Sequence, residues 1–198
     1  MAPRLLLAST SRYRAQLLER LGLPFGVRAP GVSEAHRPRE QPAARALRLA
    51  HAKAKAVALQ HPDACVIGSD QVAVLGRRIL DKPGDSRRCR EQLEAASGRL
   101  VAFHTAAVIL GPGARPTQSH VDRTRVRFRV LSERDISRYV EIEQPFDCAG
   151  SFRSEGLGVA LFESIDTRDP TALVGLPLIW LAGALRAAGL NPLAADQS

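Results

Sequence analysis

A strand-to-helix corner close to the amino terminus holds the first residues of this sequence that could bind an anion. The apolar residues 5–8 are followed by three hydroxyl residues, 9–11, and two of the next three residues are arginines. Ser11 is a suitable N-cap for a helix that we expect to end at Gly22. The first-turn N–H groups of a helix lack intrahelical partners and attract anions, so the corner predicts a phosphate site. An ordinary first strand and helix with solvated arginines fits this segment equally well.

Carboxylates and lysines further along the sequence could act on a bound phosphate chain. Asp70 and Lys82 each follow a short apolar run, and we place them on neighbouring strand ends. Lys53 projects from the side of a predicted helix, and Glu34 lies in the loop before that helix. A carboxylate can orient or deprotonate an attacking water, directly or through a divalent metal ion, and cations neutralise charge on phosphate oxygens. A single aspartate in a turn is more often only a local hydrogen-bond acceptor.

Alternating helix and strand patterns supply the framework for these residues. Helical spacing of apolar residues, with capping residues or glycine at the ends, predicts helices at 11–22, 43–59, 86–96, 132–142 and 177–189. Short apolar or alternating runs predict strands at 5–8, 25–28, 65–67, 71–75, 79–83, 100–110, 121–130 and 159–162. Residues 29–42 and 150–158 are predicted loops. The sequence therefore predicts a mixed α and β fold.

Length and composition limit the class of protein. The 198 residues, 45% of them hydrophobic, fit one large α/β domain or two small lobes. Polar residues from Ser9 onward interrupt the first leucines too early for a signal peptide. The most apolar stretch, 172–185, is split by Pro177 and is shorter than the roughly 20 residues needed to cross a bilayer, so we expect no membrane partner.

The cysteines indicate a reducing compartment. Cys65, Cys89 and Cys148 are odd in number and far apart, and they lack the spacing of a disulfide framework or a zinc site. We therefore expect a cytoplasmic protein.

The formal charge of +8 raises the question of a polyanionic partner. Only 5% of the residues are aromatic, which is too few for an evident base-stacking platform. The predicted strand 121–130 alternates apolar residues with Arg125, Arg127 and Arg129, which we interpret as a solvated face or a contact between two copies of the chain. Nucleic acid is therefore disfavoured as a partner.

Five segments resemble, in order and spacing, the motifs of the Maf-like nucleotide pyrophosphatases. They are residues 8–14, 67–72, 80–83, 151–156 and 173–178. The resemblance covers nearly the whole chain and implies one Maf-like domain over residues 1–198. In that α/β fold a mixed twisted sheet flanked by helices forms two lobes around a central cleft, as in ITPase-like proteins. The forms Gly-Ser-Asp-Gln at 68–71 and Ser-Glu-Gly at 154–156 resemble the branch of the family that hydrolyses 7-methyl-GTP.

The resemblance implies a hydrolase that cleaves a nucleoside triphosphate between its α and β phosphates and releases a nucleoside monophosphate and pyrophosphate. The family's proton acceptor maps to Asp70. Lys53, Lys82 and Arg14 map to the catalytic groups that neutralise charge on the phosphate oxygens.

The resemblance also implies how the phosphate chain and a metal ion are held. Ser9 and Ser11 would bind the phosphate chain at the helix N-terminus. The implied cofactor is a divalent cation, Mg²⁺ or Mn²⁺, with Glu34 and Asp70 as ligands and Asp81 as a further oxygen donor.

Three residues are candidates for reading the base. The broader family has Pro-Arg-Arg where this chain has Arg12, Tyr13 and an arginine, and an aromatic ring at position 13 would attract the cationic ring of a 7-methylated guanine. Glu155 could accept hydrogen bonds from the ring N–H and the exocyclic amine of guanine, and Gln71 could read another edge. Without the resemblance, Tyr13 is a helix residue covering local apolar surface and Glu155 is a surface acid.

Two alternatives remain open from the sequence. The chain could be a pyrophosphatase of the same family that prefers dTTP and UTP, or act more broadly in removing noncanonical nucleotides. It could also be a basic nucleic-acid-binding or regulatory protein acting in septum formation, which the charge supports. The family resemblance further suggests a homodimer.

Overall fold

The computed structural model describes residues 3–112 and 118–194, which contain seven strands and five α-helices. The strands are β1 (Arg4–Ala8), β2 (Phe25–Arg28), β3 (Ala64–Leu75), β4 (Arg78–Ile79), β5 (Leu100–Leu110), β6 (Gln118–Phe128) and β7 (Phe162–Asp166). The helices are α1 (Arg12–Glu19), α2 (Pro42–Ala58), α3 (Ser86–Ala96), α4 (Glu133–Glu143) and α5 (Leu178–Ala187). Short 3-10 helices span Leu157–Leu161 and Pro170–Val174.

The strands form one mixed sheet. Its order is β2-β1-β3-β5-β6-β7, with β4 paired to the end of β3. β1 runs parallel to β2 and β3, and antiparallel pairs join β3 to β5, β5 to β6 and β6 to β7. Helices α1 and α2 serve as the connections that parallel neighbours require. This mixed sheet flanked by helices confirms the predicted α/β class.

The cleft of the molecule arises because β1 is shorter than its neighbour β3. β1 ends at Ala8, opposite Gly68, whereas β3 continues to Leu75. β4 joins the same edge only from Val74, so residues 69–72 have no strand beside them on that side within the described chain. Ligands of α/β sheets bind beyond the carboxyl ends of parallel strands, and the chain leaves β1 at this point.

Two apolar clusters lie on one face of the sheet. One lies beneath α1 and α5. The other lies beneath α3 and α4 and contains edge-to-face aromatic contacts such as Phe103 with Phe152. Ser69 and Gln71 take the intervening positions of β3 on this face. Helix α2 covers the opposite face with small residues such as Ala50.

β3 runs without interruption through Asp70, so the prediction that a strand ends at residues 68–70 is wrong. Consecutive residues from Val66 to Leu75 pair with β5, and this long-range ladder overrides the turn preference of Gly-Ser-Asp. Gly68 serves close packing instead of a turn. A Cβ there would collide with the carbonyl oxygen of Ala50 and lie 2.8 Å from the Cβ of Ala54 on α2.

The prediction of a strand at 159–162 is also wrong. Leu157–Leu161 forms a 3-10 helix, and β7 begins only at Phe162. The preceding glycine-rich loop turns back on itself so tightly that a Cβ on Gly158 would collide with the carbonyl oxygen of Arg153. This turn, not the apolar composition, sets where the strand begins.

Lys82 does not lie on a strand end either. β4 is limited to Arg78–Ile79, and Lys82 follows in an irregular segment held to β3 by the N–H of Leu80, which donates to the carbonyl of Ala73 at 2.8 Å. In the part of the chain that the structure describes, no helix has the length and apolar character to span a membrane.

Candidate active site

The predicted phosphate corner is formed by the end of β1 and the start of α1. Ser11 is the N-cap of α1, and its hydroxyl accepts a hydrogen bond of 3.4 Å from the N–H of Arg14. Ser9 is buried, and its Oγ accepts from the N–H of Ser11 at 3.1 Å and from Nη1 of Arg14 at 3.5 Å. The two serines therefore fix both the start of the helix and a guanidinium beside it.

Arg14 is also held by a carbonyl from the carboxyl-terminal part of the chain. Its Nε donates to the carbonyl oxygen of Gly175 at 3.0 Å, and Ser69 Oγ donates to the same oxygen at 2.8 Å. Gly175 has a φ of 123°, which L side chains rarely adopt, so the turn requires glycine. Burial lowers the pKa of Arg14, the charges of Asp70 and Glu34 oppose this, and the guanidinium stays charged.

A buried ion pair lies at the floor of the cleft. Lys53 Nζ is 2.6 Å from Asp70 Oδ1 and 2.6 Å from Glu34 Oε1. The side chains of Lys53 and Asp70 are each 8% exposed, whereas that of Glu34 is 57% exposed. Lys53 reaches Asp70 because Gly68 allows α2 to pack closely on β3. One ammonium group therefore joins a buried carboxylate of the sheet to an exposed carboxylate of the loop before α2.

The cations around Glu34 stabilise its charged form. Partial burial raises the pKa of this carboxyl, but the hydrogen bond and charge of Lys53, with the charges of Lys82 and Arg14, outweigh burial and lower the pKa below its usual value. Glu34 is therefore ionised at neutral pH.

Lys82 lies at the exposed rim of the same cleft, and it makes no ion pair with any other described residue. Its neighbour Asp81 contacts a different group of residues. Asp81 Oδ1 is 3.6 Å from Nη2 of Arg45, and Oδ2 is 3.4 Å from Nε2 of His36. Lys82 and Asp81 thus both line the cleft with Glu34, but the Asp81 carboxylate is engaged by Arg45 and His36.

Two adjoining cavities of about 310 and 500 Å³ make up the cleft. Asp70 lines the first and Ser9 the second. The residues that line both are Ser11, Tyr13, Arg14, Glu34, Lys53, Lys82 and Asp147. Cavities of this size are typical of small-molecule sites. The predicted catalytic residues therefore converge on a space that could hold a nucleotide.

The residues predicted to read the base meet at a small third cavity of about 30 Å³, which Tyr13, Gln71 and Glu155 line. Gln71 Nε2 donates to the carbonyl oxygens of Ala172 and Leu173, each at 3.0 Å. Its carbonyl oxygen is consequently the atom left to accept from a ligand. Glu155 is exposed at the edge of this cavity.

Guanidinium groups already lie over the ring of Tyr13. Arg12 is 4.8 Å from the ring centroid and donates to the phenol oxygen at 2.8 Å, and Arg153 is 5.7 Å from the centroid. The phenol in turn donates to Asp147 at 3.4 Å. Burial raises the pKa of Tyr13, so the phenol remains a donor at neutral pH. The ring that could attract a cationic base is engaged with cations of the chain itself.

Sequence reasoning missed Arg45, Asp147 and Cys148, which also line the cleft. Arg45 lies eight residues before Lys53 on α2, and this helical spacing places both on one face, a signal that could have identified it. Asp147 and Cys148 follow α4 in an irregular segment with no local signal. Burial raises the pKa of the Cys148 thiol to about 11, which makes it a poor nucleophile at neutral pH.

The donor set fits a divalent ion shared with a substrate better than a closed protein site. Within residues 3–112 and 118–194, no three His, Cys, Asp or Glu side chains are grouped to hold a metal. Glu34 and Asp70 are nevertheless close, because both contact the ammonium of Lys53. Mg²⁺ is commonly bound by one or two carboxylates together with substrate phosphates, and this pair supplies such carboxylates.

Known proteins resemble this chain over nearly its full length. A family profile described as Maf-like protein matches residues 4–188. A 7-methyl-GTP pyrophosphatase of Nitrosococcus oceani is 51% identical over 94% of this chain and 94% of its own length. Proteins of the same name are 53% identical in Xanthomonas oryzae pv. oryzae and 54% identical in Xanthomonas axonopodis pv. citri, each over 96% of this chain and 99% and 98% of their own lengths. With matches of this extent, the chain belongs to the Maf family.

Proposed function

We propose that this chain is a nucleoside triphosphate pyrophosphatase that hydrolyses 7-methyl-GTP to 7-methyl-GMP and pyrophosphate. The observation that carries the proposal is the buried contact of Lys53 with Asp70 at the floor of a cation-lined cleft. The names of the relatives support the substrate. A role in removing modified nucleotides would follow from this activity.

Asp70 is assigned the activation of water. Its Oδ1 is engaged by Lys53, which leaves Oδ2 to accept a hydrogen bond from the attacking water and to take its proton. Because both side chains are buried, the carboxylate is held in one orientation. The water oxygen bonds to the α-phosphorus, the bond from that phosphorus to the bridging oxygen breaks, and pyrophosphate leaves with the bridging oxygen while Asp70 holds the water proton.

The phosphate chain is assigned to the corner between β1 and α1. Ser9, Ser11 and the free N–H groups of the first helical turn would bind phosphate oxygens. Arg14 and Lys82, on two sides of the cleft, would neutralise the charge that develops on the departing pyrophosphate.

Glu34 and Asp70 are assigned as the ligands of a divalent ion, Mg²⁺ or Mn²⁺. When bound, such an ion supplies charge neutralisation at the phosphate oxygens. The lowered pKa of Glu34 fits this role, because a carboxylate that is ionised at neutral pH can ligate without first losing a proton.

The base is assigned to the side of the cleft lined by Tyr13, Gln71 and Glu155. A carboxylate and an amide oxygen accept hydrogen bonds, and guanine presents an N–H and an amine together. One observation favours the alternative preference for dTTP or UTP. Arg12 lies over the Tyr13 ring and would repel the positive ring of 7-methylguanine unless it moves.

The products of hydrolysis test this proposal. With Mg²⁺ or Mn²⁺, 7-methyl-GTP should yield pyrophosphate and 7-methyl-GMP in equal amounts. Release of orthophosphate and 7-methyl-GDP would show cleavage between the β and γ phosphates and would contradict the proposal. No hydrolysis of any triphosphate, with salt-sensitive nucleic-acid binding instead, would favour the regulatory alternative.

The setting of the activity is part of the same proposal. Cys89 and Cys148 are free thiols, which supports a reducing cytoplasm. We further propose that residues 1–198 act as one Maf domain and that two copies form a homodimer, which sedimentation of the purified chain would test.

A further inference from the structure

A buried arginine on α2 connects the two loops that carry the exposed residues of the cleft. Arg45 is only 6% exposed. Its Nη1 is 2.9 Å from Nδ1 of His36, and its Nη2 is 3.5 Å from the carbonyl oxygen of Glu34 and 3.6 Å from Asp81 Oδ1. The guanidinium thus contacts the loop of Glu34 on one side and the segment of Asp81 and Lys82 on the other.

His36 completes the connection between these two segments. A guanidinium can only donate hydrogen bonds, so His36 Nδ1 must accept from Arg45 and the ring proton must lie on Nε2. That Nε2 faces Asp81 Oδ2 at 3.4 Å. Arg45, His36 and Asp81 therefore form a closed group of polar contacts, which we call the Arg45 bracket.

Asp81 is a firm anchor although its side chain is 59% exposed. Its backbone carbonyl accepts from Gln92 Nε2 of α3 at 2.9 Å, and the preceding residue, Leu80, is bonded to β3. Lys82 is the next residue in the chain. The backbone of Lys82 is therefore positioned by the contacts of Leu80 and Asp81. The Arg45 bracket supplies the side-chain contacts of Asp81.

Burial of the Arg45 guanidinium costs free energy. Its Nε is buried and has no hydrogen-bond partner among the described residues. Unpartnered buried donors are destabilising and call for a reason. The contacts that Nη1 and Nη2 make with the two segments offset this cost and give Arg45 a reason to be buried.

We propose that Arg45 is a positioning residue that holds the Glu34 loop and the Lys82 segment at a fixed separation across the mouth of the cleft. The inference rests on the proposed function, because Glu34 and Lys82 are there assigned to the metal ion and the phosphates. Groups held in place before binding lose less freedom when the triphosphate arrives, so the bracket should act on affinity for the phosphate chain.

The test compares three substitutions on or near α2. Arg45→Met removes the bracket at similar size, and Arg45→Lys keeps the charge but loses the planar fork that reaches three partners. Arg48→Met is the matched control. Arg48 pairs with Glu40 at 2.5 Å and with the carbonyl of Ala35 at 3.2 Å, so it anchors the same loop without reaching Asp81.

Two readouts are used, the steady-state constants for 7-methyl-GTP and calorimetric binding of inorganic triphosphate. We expect Arg45→Met to raise KM and to weaken triphosphate binding by about tenfold each, with kcat changed less than about threefold. Arg45→Lys should recover less than half of the binding free energy lost in Arg45→Met. Arg48→Met should change KM and triphosphate binding by less than about threefold. If Arg45→Met unfolds the chain, Asp81→Ala removes both side-chain contacts of the bracket from an exposed position and should weaken triphosphate binding in the same direction.

Three results would overturn the inference. The first is unchanged triphosphate binding in Arg45→Met and Asp81→Ala. The second is full recovery of binding in Arg45→Lys, which would indicate that charge alone matters. The third is an equal effect of Arg48→Met, which would indicate simple loop anchoring. Failure of the proposed function looks different. The wild-type chain would then bind inorganic triphosphate in an Arg45-dependent way yet release no pyrophosphate from 7-methyl-GTP.

Discussion

Lys53 Nζ lies 2.6 Å from Asp70 Oδ1 at a place where each side chain is only 8% exposed. A buried pair of this kind is weak evidence for stability, because desolvation offsets much of the attraction. For chemistry, the pair matters because it engages one carboxylate oxygen of Asp70 and leaves the other available to accept a hydrogen bond.

Asp70→Asn should abolish hydrolysis while nucleotide binding persists, because the groups assigned to the phosphate chain remain. The amide keeps the shape of the side chain but cannot take a proton from water, and loss of a general base costs about 10²–10⁴ in rate. Pyrophosphate release and calorimetric binding measure the two effects separately. Asp63→Asn, at an exposed aspartate outside the cleft, is the control and should keep full activity. Activity of Asp70→Asn within about tenfold of wild type would remove Asp70 from the mechanism.

Gly68→Ala should separate α2 from β3. The new methyl group would collide with the carbonyl of Ala50, and overpacking of this kind costs about 1–3 kcal/mol or more. Urea denaturation should show this loss together with reduced turnover, because Lys53 moves away from Asp70.

Gly183→Ala provides the contrast. Gly183 lies in α5, and a Cβ there meets nothing within 4 Å. Alanine should stabilise the helix by about 0.5–1 kcal/mol. Equal behaviour of the two glycine variants would contradict the packing argument.

Glu34→Gln should lower stability at neutral pH but not in acid. The pKa of Glu34 is lowered in the folded chain, so its stabilising contribution is present above the unfolded pKa and is lost as pH falls through the folded value. Since the side chain is largely exposed, we expect a difference from wild type of at most about 1 kcal/mol at pH 7. In denaturation curves measured from pH 7 to pH 2, the difference should begin to shrink near the unfolded pKa of about 4.3 and disappear below the lower, folded pKa. A difference that stays constant or grows as pH falls through this range would refute this ionic role.

Tyr13→Arg should lower the turnover of 7-methyl-GTP relative to dTTP. An aromatic ring attracts a cationic base by roughly 0.5–2 kcal/mol, whereas a guanidinium repels it. Tyr13→Phe keeps the ring and should keep the preference. Arg12→Ala should strengthen the preference, because it removes the guanidinium that lies 4.8 Å from the ring centroid. An unchanged ratio of the two substrates in Tyr13→Arg would show that this ring does not choose the base.

The members of the site could be predicted from sequence where local patterns mark them. The N-cap at Ser11 is confirmed, and so is the helix beginning after Ser132, whose capping box is present. The position of Asp70 could not be predicted, because its place within β3 depends on pairing with β5 some 36 residues away (Asp70 opposite Ala106). Local turn preference and long-range pairing compete at such a position, and the ladder decides.

Arg45 escaped prediction for a related reason. Arginine on a helix is usually solvated, and the buried setting of Arg45 depends on the fold of the loop before α2 and on a segment near Asp81 that is distant from it in sequence. Similarly, Gly175 determines where Arg14 points, yet 161 residues separate them. Local patterns identify residues able to do chemistry, whereas tertiary contacts determine how their side chains are oriented.

The most direct test of the central claim is pyrophosphate release from a panel of 7-methyl-GTP, GTP, dTTP, UTP and CTP with Mg²⁺ or Mn²⁺, run beside Asp70→Asn. We predict the highest kcat/KM for 7-methyl-GTP and loss of that activity in the variant. A higher kcat/KM for dTTP or UTP would keep the chemistry but contradict the assigned substrate, and pyrophosphate release that survives Asp70→Asn would contradict the mechanism itself.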